Sequence, residues 1–253
     1  MPVFFICSTA IQGENISLSD PLYTHLCRSL RVRIGQKLIF RDEQRKQYHI
    51  IVSEISKTHL TGKILDTLNG PSLEKPTLTL AQSILKPDHM AWSIQKATEL
   101  GIYRLIPIIT QRVQSRVGNS MMNRQRERWQ KIALEAAQQS ERWEIPEILH
   151  PQSFTEFLGD LSIIQLNLLL TERGESLNDS SISFDQLTNT KHNVLLAVGP
   201  EGGWNQEEIQ KAEQSGFKKI TLGEKILRSE TASIAGLVML QERLNHLTFT
   251  TIS

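Results

Sequence analysis

The strongest constraint on the fold is the alternation of strand and helix patterns through residues 78–247. Short apolar runs predict buried strands at Leu78–Ile84, Arg104–Thr110, Gln165–Thr171, Val194–Val198 and Lys218–Leu222. Helical patterns separate or follow these strands over 87–101, Ser120–Trp143, 205–216 and Thr231–Leu247. Alternation of this kind predicts an α/β domain with a parallel sheet and helices on both of its faces.

Residues at the helix ends support this interpretation. Asp88 is the expected N-cap of the first of these helices, and Gly101 its C-terminal stop. Asn205 followed three residues later by Glu208 has the pattern of a capping box. Thr231 is placed to cap the last helix.

The N-terminal part of the chain has a different pattern. Short strands are predicted at Val3–Ile6, Lys37–Arg41, Gln47–Ile55 and Leu60–Leu65, with one helix opening at Ser19 or Asp20 and Pro21 at its first position. Several strands in so short a stretch favour a small β-barrel. Segment 66–76 is rich in turn formers and is the best linker candidate. We therefore expect a barrel domain over 1–70, a linker over 71–77 and the α/β domain over 78–253.

Composition excludes several classes of protein. Since the chain has no apolar run of about 18 residues, no membrane span is expected. The N-terminus lacks a basic segment followed by a long apolar one, so a secretory signal is not expected either. Cys7 and Cys27 are the two cysteines and have no metal-ligand spacing, so we expect no metal and a reducing, cytoplasmic location.

Charge is distributed unevenly along the chain. Residues 1–70 carry a net charge of +3, residues 86–142 of +5, and residues 143–253 of −7. A basic front and middle fits an anionic partner such as a nucleic acid, although solvated helix faces give the same pattern. The candidates for contact with such a partner are Arg28, Arg31, Arg33, Lys86, Arg112, Arg116 and Arg142.

A glycine-rich loop, Gly199-Pro200-Glu201-Gly202-Gly203, follows the apolar run Val194–Val198. Glycines let the backbone approach a ligand closely, whereas Glu201 would repel a phosphate. The loop also lacks the patterns of nucleotide phosphate cradles. It therefore suits a cationic or donor-rich ligand such as a sulfonium, an ammonium or a ribose, unless it is only a strand-to-helix turn.

A second loop, Leu222–Arg228, follows the predicted strand Lys218–Leu222. Parallel strands bind ligands at their carboxyl ends, so both loops can line one pocket. Arg228 offers a fixed cation with a fork of donors. It either pairs structurally with Glu230 or Glu201, or points to an anionic or carbonyl-rich group in the pocket.

Four motifs together resemble one family. They are Gly199-Pro-Glu-Gly-Gly203, Leu222-Gly-Glu-Lys-Ile-Leu-Arg-Ser-Glu-Thr-Ala232, Gln95-Lys-Ala-Thr-Glu-Leu-Gly101 and Glu135-Ala-Ala-Gln-Gln-Ser-Glu-Arg142. The family is the RsmE-type bacterial small-subunit ribosomal RNA (uracil-N3)-methyltransferases of the SPOUT superfamily. Residues 30–35 also resemble the entry to the family's PUA-like RNA-binding barrel. The chain departs from the family at Val3, where members carry arginine, and in the hairpin at 42–46, which lacks a glycine.

The resemblance implies a trefoil-knotted parallel sheet flanked by helices, preceded by a PUA-like barrel. It further implies a homodimer and S-adenosylmethionine bound in the knot. The cofactor site would comprise Leu170, Thr171, Glu172, Gly199, Pro200, Glu201, Gly202, Gly203, Leu222, Gly223, Ile226, Leu227, Arg228, Thr231 and Ala232.

The resemblance also implies the reaction, which is methylation of N3 of one uridine in small-subunit (16S) ribosomal RNA, either free or in the assembled subunit. We expect Arg228 to stabilise charge on the uracil, and Glu230 to orient Arg228 or to accept the N3 proton. Two alternatives are a SPOUT enzyme acting on another RNA site and a non-catalytic ribosome-assembly factor that binds RNA.

Overall fold

A computed structural model of the protein describes residues 3–72, 76–113, 119–161, 165–172 and 193–244, except the side chains of 119–121 and 165. The chain divides into two compact units. The first comprises Met1–Leu73 together with Ala137–Glu144, and the second comprises Glu74–Ala136 and Ile145–Ser253. No sequence pattern had indicated that a segment from the middle of the chain completes the N-terminal unit.

The first unit contains one sheet of six strands. Its strands are β1 (Val3–Phe5), β2 (Ile11–Gln12), β3 (Asn15–Leu18), β4 (Lys37–Arg41), β5 (Lys46–Ile55) and β6 (Leu60–Asn69). The order is β1-β4-β5-β6-β3-β2, with β1 parallel to β4 and the other pairs antiparallel. The four predicted strands are confirmed, whereas β2 and β3 were not predicted. Strand β6 extends to Asn69, so residues 66–69 of the predicted linker 66–76 belong to this strand.

Alternate side chains of β5 point into the core of this unit. Tyr48, Ile50 and Val52 are buried and pack in one cluster with residues of the other strands and of a helical segment, α1. Helix α1 spans Leu22–Thr24 and continues as a π-helical turn over His25–Ser29. Pro21 was predicted as its first residue but immediately precedes it.

The hairpin between β4 and β5 turns without a glycine. Arg45 adopts a φ of 62°, the left-handed conformation that glycine supplies most easily. The carboxylate of Asp42 accepts hydrogen bonds from the backbone N–H groups of Gln44 and Lys46 at 3.0 and 2.9 Å. These bonds stabilise the turn and compensate for the strain at Arg45.

The segment Ala137–Glu144 joins the first unit through a buried arginine. Arg41 is 6% exposed, and its Nη1 donates hydrogen bonds to the carbonyls of Glu141 and Arg142. Its guanidinium carbon lies 4.1 Å from the centre of the Trp143 ring, within the range of a cation–π contact. Burial lowers the pKa of Arg41, although the carboxylates of Glu141 and Glu144 oppose this shift.

The second unit is built on a parallel sheet of seven strands. They are β7 (Leu78–Ser83), β8 (Arg104–Ile109), β9 (Glu147–Ile148), β10 (Gln152–Ser153), β11 (Gln165–Leu170), β12 (Asn193–Val198) and β13 (Lys218–Ile220). The order is β10-β8-β7-β12-β11-β13, and β9 also pairs with β8. All pairs are parallel, so the predicted sheet is confirmed, with the short edge strands β9 and β10 added to it.

Pro107 lies inside β8, where its missing N–H would normally break a ladder. The carbonyl of Leu105, two residues earlier, accepts a hydrogen bond from Leu149 N at 3.0 Å. By the two-residue period of a strand, Pro107 faces the same edge. Because β9 pairs with residues 104–105 and β10 with 108–109, Pro107 falls in the gap between the two edge strands.

Among the described residues of the second unit, four helices begin and end within four residues of their predicted limits, whereas a short helix after β10 was not predicted. These helices are α2 (Pro87–Glu99), α3 (Asn119–Gln139), α4 (Phe154–Gly159), α5 (Gln206–Gln214) and α6 (Ser229–Arg243). The prediction of Asp88 as N-cap is wrong, because Lys86 occupies that position. Thr231 is likewise not a cap, since α6 begins at Ser229 with Arg228 as its N-cap. The capping box of Asn205 and Glu208 is confirmed.

Apolar packing on both faces of the sheet confirms the predicted three-layer arrangement. Along β12, Val194, Leu196 and Val198 belong to one core cluster, with residues of α2, α3 and α6. Leu195 and Ala197 point the other way, into a cluster with α4, α5 and Phe217. The connection from β11 to β12 runs largely through residues 173–192, outside the described part of the chain, so the predicted knot stays a prediction.

Candidate active site

Three neighbouring strands of the second unit end at one edge of the sheet. Strands β11, β12 and β13 are parallel and finish at Leu170, Val198 and Ile220. The segments that follow them therefore meet at the same place. The backbone N–H of Thr171 donates to the carbonyl of Ile220 at 2.9 Å, which fixes two of these segments together.

A cavity of about 470 Å³ opens between these segments. Most of the residues predicted to bind a cofactor line it, namely Leu170, Thr171, Glu172, Gly199, Pro200, Glu201, Gly203, Leu222, Ile226, Leu227 and Ala232. Four others predicted for this site, Gly202, Gly223, Arg228 and Thr231, are not among its lining residues. Residues that sequence reasoning missed include Trp204, Lys219, Thr221, Lys225 and Ser229.

Two glycines of the loop 199–203 are required by its geometry. Gly203 has a φ of +73°, and a Cβ there would lie 3.0 Å from Oε1 of Glu172. A Cβ on Gly199 would lie 3.1 Å from the indole nitrogen of Trp204. That indole donates a hydrogen bond of 2.9 Å to the carbonyl of Leu170. Trp204 therefore holds the glycine loop against the end of β11. Its position directly after the loop could have identified it from the sequence as a residue of the site.

The N-terminus of α6 is tied to the same loop through a buried polar network. Ser229 Oγ donates to the carbonyl of Gly199 at 2.5 Å and accepts from Nε2 of Gln82 at 3.1 Å. Ser233 Oγ donates in turn to Oε1 of Gln82. All three side chains are buried, and satisfied networks of this kind fix one arrangement of a site.

Charged groups of both signs line the cavity. Glu172 and Glu201 contribute carboxylates, while Lys219, Lys225 and Arg112 contribute cations. Arg112 was predicted to contact RNA, but its Nη1 donates to the carbonyl of Gly202. The mixture suits a ligand that itself carries charges of both signs, which refines the purely cationic ligand expected from the loop sequence.

A second cavity, of about 500 Å³, shares part of the glycine loop with the first. Pro200, Glu201 and Arg112 line both. The lining of the second cavity includes the apolar side chains of Leu85, Met90, Met122 and Trp129 and the cations Lys86 and Arg128. An apolar pocket bordered by cations suits a flat apolar group attached to an anion.

The expected catalytic pair, Arg228 and Glu230, lies beside these cavities without lining them. Arg228 is exposed, whereas Glu230 is 8% exposed. Among the ion pairs of the described residues, none joins Arg228 to Glu230 or to Glu201, so the structural pairing considered for Arg228 is not formed. His89 contacts the carboxylates of Glu201 and Glu230, which no sequence motif had indicated. Its Nδ1 lies 2.7 Å from Glu201 Oε1 and 3.8 Å from Glu230 Oε2.

The residues predicted to contact RNA fall into three groups. Arg28, Arg31 and Arg33 are exposed on the first unit. Lys86 and Arg112 line the second cavity. The side chain of Arg142 is 10% exposed and burial lowers its pKa, so it is placed for packing more than for phosphate contact. Arg116 lies outside the described residues.

None of the described helices combines the length and apolar character needed to cross a bilayer. Within the same ranges, no three side chains of His, Cys, Asp or Glu are grouped as metal ligands.

Family models match both units. A model of an RNA methyltransferase domain matches residues 73–241, and one of an RNA methyltransferase PUA domain matches residues 18–65. The latter agrees with the sheet of the first unit, which was predicted as PUA-like.

Two curated relatives and one solved structure carry the same family name. Ribosomal RNA small subunit methyltransferase E of Mesomycoplasma hyopneumoniae is 35% identical over 68% of this chain and 73% of its own length. That of Rickettsia conorii is 30% identical over 94% and 93%. The crystal structure of a ribosomal RNA small subunit methyltransferase E from Neisseria gonorrhoeae bound to S-adenosylmethionine superposes with a TM-score of 0.81 at 29% identity, covering 96% of this chain and 97% of that one. The glycine-loop cavity, the family models and these relatives together show that the chain belongs to the ribosomal RNA small subunit methyltransferase E family of RNA methyltransferases.

Proposed function

We propose that the protein transfers the methyl group of S-adenosylmethionine to N3 of a uridine in small-subunit ribosomal RNA. The observation that carries the proposal is the mixed-charge cavity at the carboxyl ends of β11, β12 and β13. Its volume of about 470 Å³ lies within the range of small-molecule sites, about 300–1,000 Å³. The relatives named above point to the same reaction class.

The residues of the cavity fit this cofactor. S-adenosylmethionine carries a sulfonium and an ammonium, for which Glu172 and Glu201 are suited, and a carboxylate, for which Lys219 and Lys225 are suited. Its sulfonium supplies a methyl group that is already activated for transfer. The backbone of Gly199 and Gly203 can approach the ligand because neither residue has a side chain.

Catalysis then rests on how the chain positions the two reactants. N3 of a paired uridine is hidden in the helix, so the base must be unpaired or flipped out. The second cavity, apolar inside and bordered by Lys86 and Arg128, is suited to such a nucleotide. Holding the two reactants in line provides effective molarities on the order of 10⁵ M or more. Arg228 would stabilise the negative charge that develops on the uracil.

The first unit is proposed to contribute to RNA binding. Arg28, Arg31 and Arg33 are exposed there, beside the exposed apolar side chains of Leu30 and Ile34. Cations next to apolar groups suit a backbone phosphate and an unstacked base.

A knotted C-terminal sheet, a homodimer and a cytoplasmic location also belong to this proposal. The dimer is supported by Val238 and Met239, exposed apolar residues of α6, and by Ile226, which is 68% exposed.

The test is methyl transfer from labelled S-adenosylmethionine into small ribosomal subunits that lack the modification, and into naked RNA, followed by digestion to nucleosides. Labelled 3-methyluridine is the expected product. A different methylated nucleoside would refute the uridine assignment and favour a SPOUT enzyme acting on another site. No transfer, combined with no cofactor binding by calorimetry, would favour a non-catalytic assembly factor.

A further inference from the structure

His89 lies between two carboxylates that come from different parts of the second unit. Its Nδ1 is 2.7 Å from Oε1 of Glu201, in the glycine loop. The same nitrogen is 3.8 Å from Oε2 of Glu230, in the first turn of α6. The imidazole belongs to the first turn of α2 and is 36% exposed, so it borders solvent.

The carboxylate of Glu230 is buried, and a nearby cation would stabilise it. Its side chain is 11% exposed, and Oε2 has no hydrogen-bond partner among the described residues. A buried carboxylate without a partner loses hydration that nothing replaces. An imidazolium at 3.8 Å would compensate for part of this loss by its charge.

The charged groups around His89 are few in the described structure. The two carboxylates face it directly, and the ammonium of Lys86 lies 3.7 Å from the other oxygen of Glu201. Lys86 thus offsets part of the charge of Glu201, whereas the described ion pairs join Glu230 to no lysine or arginine and only to His89.

The contacts of Nδ1 determine which nitrogen of His89 is available for chemistry. With carboxylate oxygens as neighbours, Nδ1 carries the hydrogen and donates it to Glu201. Nε2 is then the unprotonated nitrogen and can accept a proton. Carboxylates orient the histidine of hydrolase triads by the same logic.

His89 lines neither cavity, but it is bonded to a residue of the wall that they share. Glu201 lines both the cofactor cavity and the second cavity, and His89 is hydrogen-bonded to it. Met90, the next residue along α2, lines the second cavity. The imidazole is therefore one hydrogen bond away from a side chain that faces both proposed ligands.

We infer that His89 is the proton acceptor of the reaction, oriented by Glu201 and stabilised after protonation by Glu230. The inference rests on the proposed function. His89 Nε2 takes the N3 proton as the new bond between N3 and the methyl carbon forms. The bond between sulfur and the methyl carbon breaks and its electron pair stays on sulfur. The proton then leaves Nε2 for solvent, which the exposed edge of the ring reaches.

The experiment compares single-turnover methylation by the wild-type protein, His89→Ala and His89→Gln across pH 5–9. The wild-type rate should fall at acid pH, where histidines become protonated. His89→Ala should be roughly 100-fold slower at pH 7.5, the scale of general-base catalysis, and its rate should rise with hydroxide without a break. Added imidazole should restore part of the activity of this variant.

Controls separate catalysis from folding and from cofactor binding. His89→Gln keeps a donor for Glu201 but no base, so it should bind cofactor within threefold of wild type and still be slow. His150→Ala, which changes an exposed histidine of the same unit, should leave the rate unchanged.

The outcomes that overturn the inference are distinct. A wild-type rate in His89→Ala, or a pH break that persists without imidazole rescue, would remove His89 as the base. Loss of cofactor affinity in parallel with rate would make it a support of the glycine loop. Failure of the wild-type arm to form 3-methyluridine would instead refute the proposed function.

Discussion

Gly203 meets two requirements, one set by the backbone conformation of its loop and one by the space beside the ligand cavity. Its left-handed φ of +73° makes any side chain costly, and a Cβ would also contact Glu172. Gly203→Ala should lower the free energy of unfolding by roughly 1–2 kcal/mol and the affinity for S-adenosylmethionine at least tenfold. Calorimetry and urea unfolding measure the two effects.

Gly216 is a matched control for this substitution. It has a φ of +85° with no atom within 4 Å of its Cβ position. Gly216→Ala should therefore lose similar stability and keep cofactor affinity. Equal affinities in the two variants would disprove the role of Gly203 in the cavity.

Substitution of Arg228 tests whether this residue acts on the uracil and not on the cofactor. The guanidinium is exposed and does not line the cofactor cavity, so its removal should not disturb the cofactor. Arg228→Ala should lower the methylation rate by about 10²–10³-fold, typical of a lost charge-stabilising donor, with cofactor affinity within threefold of wild type. If affinity falls as far as the rate, Arg228 belongs to cofactor binding instead.

Residues next to the glycines were predictable, but those that arrive from distant elements were not. The motif around Gly199 locates Glu201 and Gly203 directly. His89 and Lys219 enter the site only because α2 and β13 are packed around the same strands. Their positions depend on strand order, which local patterns do not specify.

At the scale of helices and strands, the packing of α6 against the sheet depends on a residue without a side chain. A Cβ on Gly236 would lie 2.9 Å from Cδ2 of Leu196, a fully buried residue of β12. Gly236→Val should therefore push the helix from the sheet and cost about 2 kcal/mol. Unfolding by urea, followed for the second unit, measures this loss.

A second substitution can relieve the clash. In Gly236→Val with Leu196→Ala, the loss should be smaller than the sum of the single losses by about 1 kcal/mol or more. Leu60→Ala, in the core of the first unit, should instead add to Gly236→Val without coupling. Additivity with Leu196→Ala would show that the two residues do not compete for space.

Most elements were predicted from periodicity and caps, and the misses have local causes. Strands β2 and β9 are two residues long, too short for a period to appear. Helix α3 ends at Gln139, earlier than its pattern, and Glu141 just beyond it has a φ of 52°. A left-handed glutamate is not visible in the sequence, because glutamate, unlike glycine, rarely adopts this conformation.

At the scale of the whole molecule, Trp143 should stabilise a unit whose other residues are mostly numbered below 74. It stacks with Arg41, and its ring leaves no room for a side chain on Gly70. Trp143→Ala should accelerate amide hydrogen exchange in β4 and β5, with little change in β7 and β12, because it removes the contacts with Arg41 and Gly70 in the first unit.

Trp92→Ala provides the comparison. Trp92 is 43% exposed on α2, so its removal should leave exchange in both units nearly unchanged. Faster exchange throughout both units in Trp143→Ala would mean that the two units unfold as one.

The contribution of Ala137–Glu144 to the first unit has a consequence for how the protein is made. Domains generally fold from the N-terminus as the chain leaves the ribosome, at roughly 5–20 residues per second. About 60 residues of the second unit separate Leu73 from Ala137, so the ribosome needs roughly 3–12 s more to supply the missing segment. During that interval Arg41 has neither its two carbonyl partners nor the Trp143 ring. The first unit therefore stays incomplete until the ribosome has synthesised Ala137–Glu144.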